Sequence, residues 1–240
     1  MSKAWFFLSL CLHIFSVNAQ ETDVYGAIVR SDAEQKTIYL CFTGHDHFEG
    51  FDHVLRVLKE NNIKGSFFLT GDFVRNHTEL VQQIGADGHF VGAHSDKHLL
   101  YNDWEKRDSL LVSEETIRKD ILENVQELEI IGIFPKIFMP PYEWYNADVV
   151  KLATAVGQTT INFSPGTRSN ADYTTPEMKN YISSHDILGS IYTYESNLGM
   201  NGFHLLIHPG TDPKRTDKFY FLLENLILEM KERGYGFERF

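Results

Sequence analysis

Short apolar runs alternate with longer amphipathic ones along almost the whole chain, and this alternation limits the fold more than any other feature. Runs at 37–42, 66–70, 90–93, 137–139, 159–163, 203–207 and 235–240 have the length and character of strands. Between them, 51–61, 78–86, 113–131, 146–156, 176–198 and 218–233 carry helical spacing. Val54, Leu55 and Leu58 share one face of the first helix. Ser113 is placed to cap the longest, and the charge of Glu115 suits the dipole at its start. Strand and helix in repeated alternation build a parallel sheet with helices outside. About seven units fit, which predicts α/β architecture as a deformed (β/α) barrel, closed or nearly so. No glycine-rich dinucleotide fingerprint follows the first strand, which weighs against an open dinucleotide-binding sheet.

The chain has 240 residues, no internal repeat and no Pro/Gly-rich linker, so residues 20–240 are expected to form a single domain. Residues 1–19 read as a secretory signal. Lys3 precedes an apolar stretch from Ala4 to Val17, and Val17-Asn18-Ala19 suits a peptidase cut after Ala19. The stretch is too short and interrupted to span a bilayer, so no stable membrane insertion is expected once it is removed, and the protein is expected in the periplasm or outside the cell. The formal net charge of -11 argues against a nucleic-acid partner, which needs a basic footprint. With Cys11 in the signal, Cys41 is left alone in an apolar run, where it reads as a buried small hydrophobe.

In such barrels the chemistry sits on the loops that follow the strands. Here those loops carry His45, Asp46 and His47; then His94 and His98; then Tyr142, Glu143 and Trp144; then Asp172 and Tyr173; and finally His208. His204 and His208 lie along one predicted strand, about 13 Å apart, too far to share an ion. His94 and His98 follow a strand end, and a helical turn there would bring them within about 6 Å of each other. A catalytic zinc takes three protein donors and leaves a position for water. Asp46 is the expected third donor, with His45 and His47 as weaker contenders. Tyr101, Trp104, Trp144, Tyr145 and Tyr173 are available to stack on a sugar or to fill the core. The polar stretch at 212–217 reads as a solvated helix start.

His94-Ser95-Asp96-Lys97-His98 resembles the H-S/T-x-x-x-H metal motif of the NodB-type polysaccharide deacetylases, carbohydrate esterase family 4. Pro140-Pro141-Tyr142 resembles that family's R-P-P-Y motif, whose tyrosine N–H helps bind the oxyanion. Asp172-Tyr173 stands where a D-W pair is expected. Leu205-Leu206-Ile207-His208 is similar to its L-x-x-H motif. That match implies Leu205 in the substrate pocket and His208 as general acid. The resemblance runs from about Thr37 to Phe240 and implies the family's deformed barrel and a divalent metal, zinc first.

The first motif departs from the family. Its T-F-D-D-G holds a base aspartate and a metal aspartate, and here Thr43 and Gly44 occupy those places. Asp46 is the displaced carboxylate, as metal donor or base. Met139 stands where the family has the arginine that braces the base, and Glu143, directly after Tyr142, is a candidate replacement base. The implied function is metal-dependent removal of N- or O-acetyl groups from a carbohydrate. In that scheme His94, His98 and Asp46 hold the metal, His208 is the acid, and Tyr142, Trp144, Tyr173 and Leu205 contact substrate. The alternatives are a catalytically impaired, metal-containing glycan-binding protein and a related amide or imide hydrolase.

Overall fold

The computed structural model describes residues 20–240; the expected signal peptide, 1–19, lies outside them. Among the described residues one sheet contains β1 (Glu21–Thr22), β2 (Ile28–Arg30), β3 (Thr37–Gly44), β4 (Ser66–Leu69), β5 (Phe90–Ala93), β6 (Ile137–Phe138), β7 (Thr159–Thr160), β8 (Phe203–Ile207) and β9 (Gly236–Glu238). The order is β1-β2-β8-β3-β4-β5-β6-β7, parallel from β8 through β7, with β9 beside the start of β3. A parallel bridge between Ile28 and Ile161 then joins the far end back to β2. Asn162 N–H donates to Ile28 O at 2.9 Å beside it. The sheet therefore curls into the expected deformed barrel.

Strand alternation sorts the side chains into two cores. Ile38, Leu40 and Phe42 of β3 join Phe67 and Leu69 of β4 and Leu205 and Ile207 of β8 in the larger core, which also takes in the buried helix residues. Cys41, Phe68 and Leu206 point the other way and meet Met139 and Ile161 in a smaller core inside the barrel. The larger core is completed by α1 (Phe51–Glu60), α2 (Gly71–Asn76), α3 (Thr78–Ala86), α4 (Glu114–Ile130), α5 (Ala147–Ala155), α6 (Ser184–Leu198) and α7 (Leu223–Glu232). Cys41 is wholly buried, and burial pushes its thiol up, as befits a packing residue.

Most predicted elements are present, with local corrections. Ser113 caps α4 as read, its Oγ accepting from Thr116 N–H at 3.1 Å. The helix read over 176–198 begins only at Ser184, because the carbonyls of Thr174 and Ile182 accept from Arg215 instead of entering a helix. The helix read from 218 opens as a 3₁₀ turn, Phe219–Leu222, before α7. β1, β2 and α2 have no counterpart in the sequence reading; each is six residues or fewer, too short for periodicity to register.

His204 stitches the barrel closed from within. Its Nδ1 bonds Asn162 O at 2.8 Å and its Nε2 pairs with Ser31 Oγ at 2.9 Å, joining β8 to the segments after β7 and β2. Burial lowers the ring to about 4. The folded chain therefore resists a proton that the unfolded chain accepts near pH 6.5. This contribution to stability is complete above about pH 6.5 and is lost as the pH falls toward 4. Urea unfolding should accordingly give a lower midpoint at pH 5 than at pH 7, with a smaller difference in His204→Gln, which keeps a donor but cannot titrate. Equal differences in both proteins would refute the assignment.

Candidate active site

Residues that follow β3, β5 and β8 inherit the inward face of the barrel at its carboxyl end. Thr43 shares the parity of Cys41, and His208 that of His204 and Leu206, so both face a cleft of about 360 Å³ that His94, His98 and Glu143 also line. Leu205 has the opposite parity. It is fully buried in the core under the helices, and the structure does not bring it to the cleft. Gly44 has the same outward parity. A Cβ built there would come within 2.8 Å of Leu69 Cδ2 and 2.9 Å of Phe51 Cζ.

Helix α4 holds the segment that follows β5. Asn124 Oδ1 accepts from His94 N–H at 2.7 Å, while its Nδ2 donates to Leu69 O at 3.1 Å. Asp120 accepts from Lys97 N–H at 2.8 Å and from the Tyr101 hydroxyl at 2.7 Å, which places Tyr101 in the core. The turn is not helical, since Ser95 and His98 have φ of 69° and 52°. The His94 and His98 rings nevertheless lie 5.0 Å apart. His94 Nδ1 donates to Met139 O at 2.8 Å, so its Nε2 lone pair is left for the cleft. Burial first, then neighbouring histidines, holds His94 down at about 3 and His98 at about 2, so both rings are neutral at physiological pH.

The expected third metal donor is not beside them. The Asp46 side chain is 73% exposed at the rim, its Oδ1 lying 3.2 Å from His45 Nε2. His45 stacks on His98 with centroids 4.4 Å apart and planes at 19°. Stacked, nearly parallel rings keep their in-plane lone pairs in separate planes, so these two do not converge on one ion. Among the described residues no group of three histidine, cysteine or carboxylate side chains is arranged to hold a metal. Two neutral imidazoles suit such an ion; the donor set as a whole does not fit a three-ligand site.

Glu143 enters the cleft from the turn after β6. Tyr142 and Glu143 both occupy the left-handed region, at φ 59° and 51°, a strained pairing for two side-chain-bearing residues. Glu143 N–H donates to Pro140 O at 3.0 Å, and Asn162 Nδ2 donates to Glu143 O at 3.2 Å. The result aims a carboxyl that is only 10% exposed at His94, with Oε1 4.0 Å from Nε2. Burial pushes Glu143 up to about 7; His208 acts against that rise and Asp172 adds to it.

His208 is braced from behind. Asp172, 1% exposed, accepts from His208 Nδ1–H at 2.5 Å and from its backbone N–H at 2.8 Å. Burial alone would lower the imidazole, but the Asp172 charge and hydrogen bond, with Glu143 beyond, carry it above its ordinary value. The cleft therefore sets a carboxyl that ionises late opposite an imidazole that holds its proton, as acid–base chemistry requires.

Three exposed aromatics stand at the mouth: Trp104, Tyr142 and Tyr173. Trp144 is not among the lining residues. Its Nε1 donates to Asp103 O at 3.2 Å, and Arg107 lies 3.9 Å over its ring. Tyr145 is core, its hydroxyl donating to Asp23 Oδ2 at 2.7 Å. The sequence reading missed Asn162 and Arg215. The former follows a strand as the other site residues do. The latter sits in the stretch read as solvated and is in fact fully buried.

The fold and cleft define an α/β-barrel protein with a cluster of titratable side chains at the carboxyl end of a parallel sheet. The chain belongs to the polysaccharide deacetylase family, whose model matches residues 30–161. Peptidoglycan-N-acetylglucosamine deacetylase of Bacillus cereus is 26% identical over 184 residues, 77% of this chain and 76% of that protein. Peptidoglycan-N-acetylmuramic acid deacetylase PdaA of Bacillus subtilis is 29% identical over 143 residues, 58% of this chain and 51% of that one. An uncharacterised protein of Bacillus subtilis, YlxY, is 30% identical over 188 residues, covering 78% of this chain. The chain spans about half (51%) of the length of YlxY. Among solved structures, a carbohydrate esterase family 4 pseudoenzyme from Bacillus anthracis superimposes with a TM-score of 0.71 at 21% identity, covering 89% of this chain and 67% of that one. PdaA of Bacillus subtilis does so with 0.66 at 23% identity, covering 90% and 83%.

Two imidazoles without a third donor predict weak, exchangeable metal binding, well short of the ~10–16 kcal/mol of closed zinc sites. Equilibrium dialysis against zinc should show binding that His94→Ala abolishes, that Asp46→Asn leaves unchanged, and that mild chelation removes. Stoichiometric zinc retained through chelation, or lost in Asp46→Asn, would restore the displaced-aspartate assignment.

Proposed function

We propose that the protein hydrolyses an N- or O-acetyl group on a carbohydrate, with Glu143 as general base and the Asp172–His208 pair as general acid. The observation that carries this reading is the placement of Glu143 and His208 in one cleft, with burial delaying ionisation of the first and Asp172 holding the proton on the second. Ionised Glu143 takes a proton from water as the water oxygen bonds to the acetyl carbon. The developing oxyanion is assigned to the Tyr142 N–H, the role its motif implies. His208 then donates its proton to the leaving nitrogen or oxygen as that bond breaks, releasing acetate. The exposed rings of Trp104, Tyr142 and Tyr173 give a sugar apolar faces on which to rest. The acetylated sugars named for the relatives support a carbohydrate as the substrate class.

A second reading has its own observation. Gly44 carries no carboxylate, and a side chain there would crowd Leu69 and Phe51; Thr43 Oγ1 is buried without a hydrogen-bond partner where the family's base would stand. A glycan-binding protein with weak or lost catalysis fits a site altered there, and one structural neighbour is described as a pseudoenzyme.

The pH dependence follows from the two groups, which titrate as a coupled pair. The base works only when ionised, so kcat/KM should fall as the pH drops below about 7, the value to which Glu143 is raised. The acid works only when protonated, so the rate should fall again above the raised value of His208. Glu143→Gln should lose on the order of 10²–10⁴-fold together with the acidic limb. His208→Ala should lose a similar factor on acetylated sugars and less on an activated ester, whose leaving group needs no proton. Glycan binding in the wild type with no deacetylation at any pH, measured by acetate release from chitin oligosaccharides and acetylated xylan, would establish the binding reading.

Export is part of the same proposal. N-terminal sequencing of the protein recovered outside the cytoplasm should begin at Gln20; an intact Met1 there would contradict it.

A further inference from the structure

Arg215 is a fully buried cation that the chemistry above does not use. We infer that it is a positioning residue, holding Asp172 against His208 by tying together the two loops that carry them. The inference rests on the reading of His208 as the proton donor. His208 begins the loop that reaches Asp217, and Arg215 lies near the loop's end. From there its side chain crosses to the other loop. Nη1 donates to Thr174 O at 2.7 Å, and Nη2 to Ile182 O at 3.1 Å and Ser184 Oγ at 3.0 Å. Nε donates to Asp217 O at 3.1 Å. Asp217 reinforces the seam by accepting from Ser184 N–H at 2.7 Å and the Tyr181 hydroxyl at 3.0 Å.

Thr174, the strongest of these partners, is two residues from Asp172. Its own N–H and hydroxyl donate to Ala171 O at 3.0 and 2.7 Å, so the guanidinium fixes the turn that presents the carboxylate. A planar fork that serves three acceptors on one loop cannot be replaced by a lysine, which keeps the charge but not the geometry. The same residue opposes the function electrostatically, since its positive charge lowers the tendency of His208 to hold a proton. A cation placed there for its field would weaken the acid. The hydrogen-bond geometry is what it contributes. The other groups facing His208 are Asp172 and Tyr173 from its brace, Glu143 from the turn after β6, and His94 and His98 from the segment after β5.

The test is an NMR titration of the His208 ring in the whole chain, alongside urea unfolding. Arg215→Lys leaves the field nearly constant, so any change reports on geometry. The ring should titrate lower than in wild type by on the order of one unit, in the direction of the larger drop expected for Asp172→Asn. A folded Arg215→Lys protein with an unchanged His208 titration would overturn the inference and leave Arg215 a staple of the fold. Should that variant fail to fold, Ser184→Ala removes a single acceptor from the fork. A smaller downward shift supports the role, and no shift overturns it. If wild type deacetylates no carbohydrate and the shift is still present, the acid reading fails while the positioning role stands.

Discussion

A largely parallel sheet that curls back on β2 buries both of its faces, and the rest of this molecule follows from that constraint. Its interior is filled by a few side chains around Cys41, Phe68 and Leu206. Past the strand ends the loops open into a cleft lined largely by polar groups. The Ile28–Ile161 bridge, with His204 bonded across it, completes the ring and brings the segment after β7 alongside β2. That contact places Asn162 where it can hold Glu143.

Burial at the mouth then sets the chemistry. His94 and His98 stay neutral because water is excluded from them, and Glu143 resists ionisation for the same reason, with His208 offsetting only part of the rise. His208 alone is given a counter-charge, and it alone of these three histidines holds its proton above the ordinary range. The difference between two rings held down and one held up within a single cleft comes from the placement of Asp172.

The barrel was legible in the sequence because parallel strands buried on both faces read as unbroken apolar runs, as β3, β4 and β8 do. Loop residues following those runs were also legible, which is how His94, His98, Glu143 and His208 were found. Side-chain direction was not. A motif match put Leu205 in the pocket, whereas counting parity from His208 along β8 would have turned it toward the helices. Asp46 was selected as the nearest carboxylate in the chain, but proximity along a loop does not determine which way it turns, and it faces solvent. Arg215 was read as solvated because charge runs usually are. Its burial depends on carbonyls more than thirty residues away that no local pattern displays.

Gly44 has a further consequence. β3 stays in register with β4 as far as the Gly44–Leu69 pair, and the space a side chain would need is taken by Leu69, Phe51 and Phe73. For redesign this is an asymmetry between two walls. An aspartate written at position 44 would start its side chain against those three hydrocarbon groups, which would have to give way together. The wall that already carries Glu143 is the more readily refined of the two.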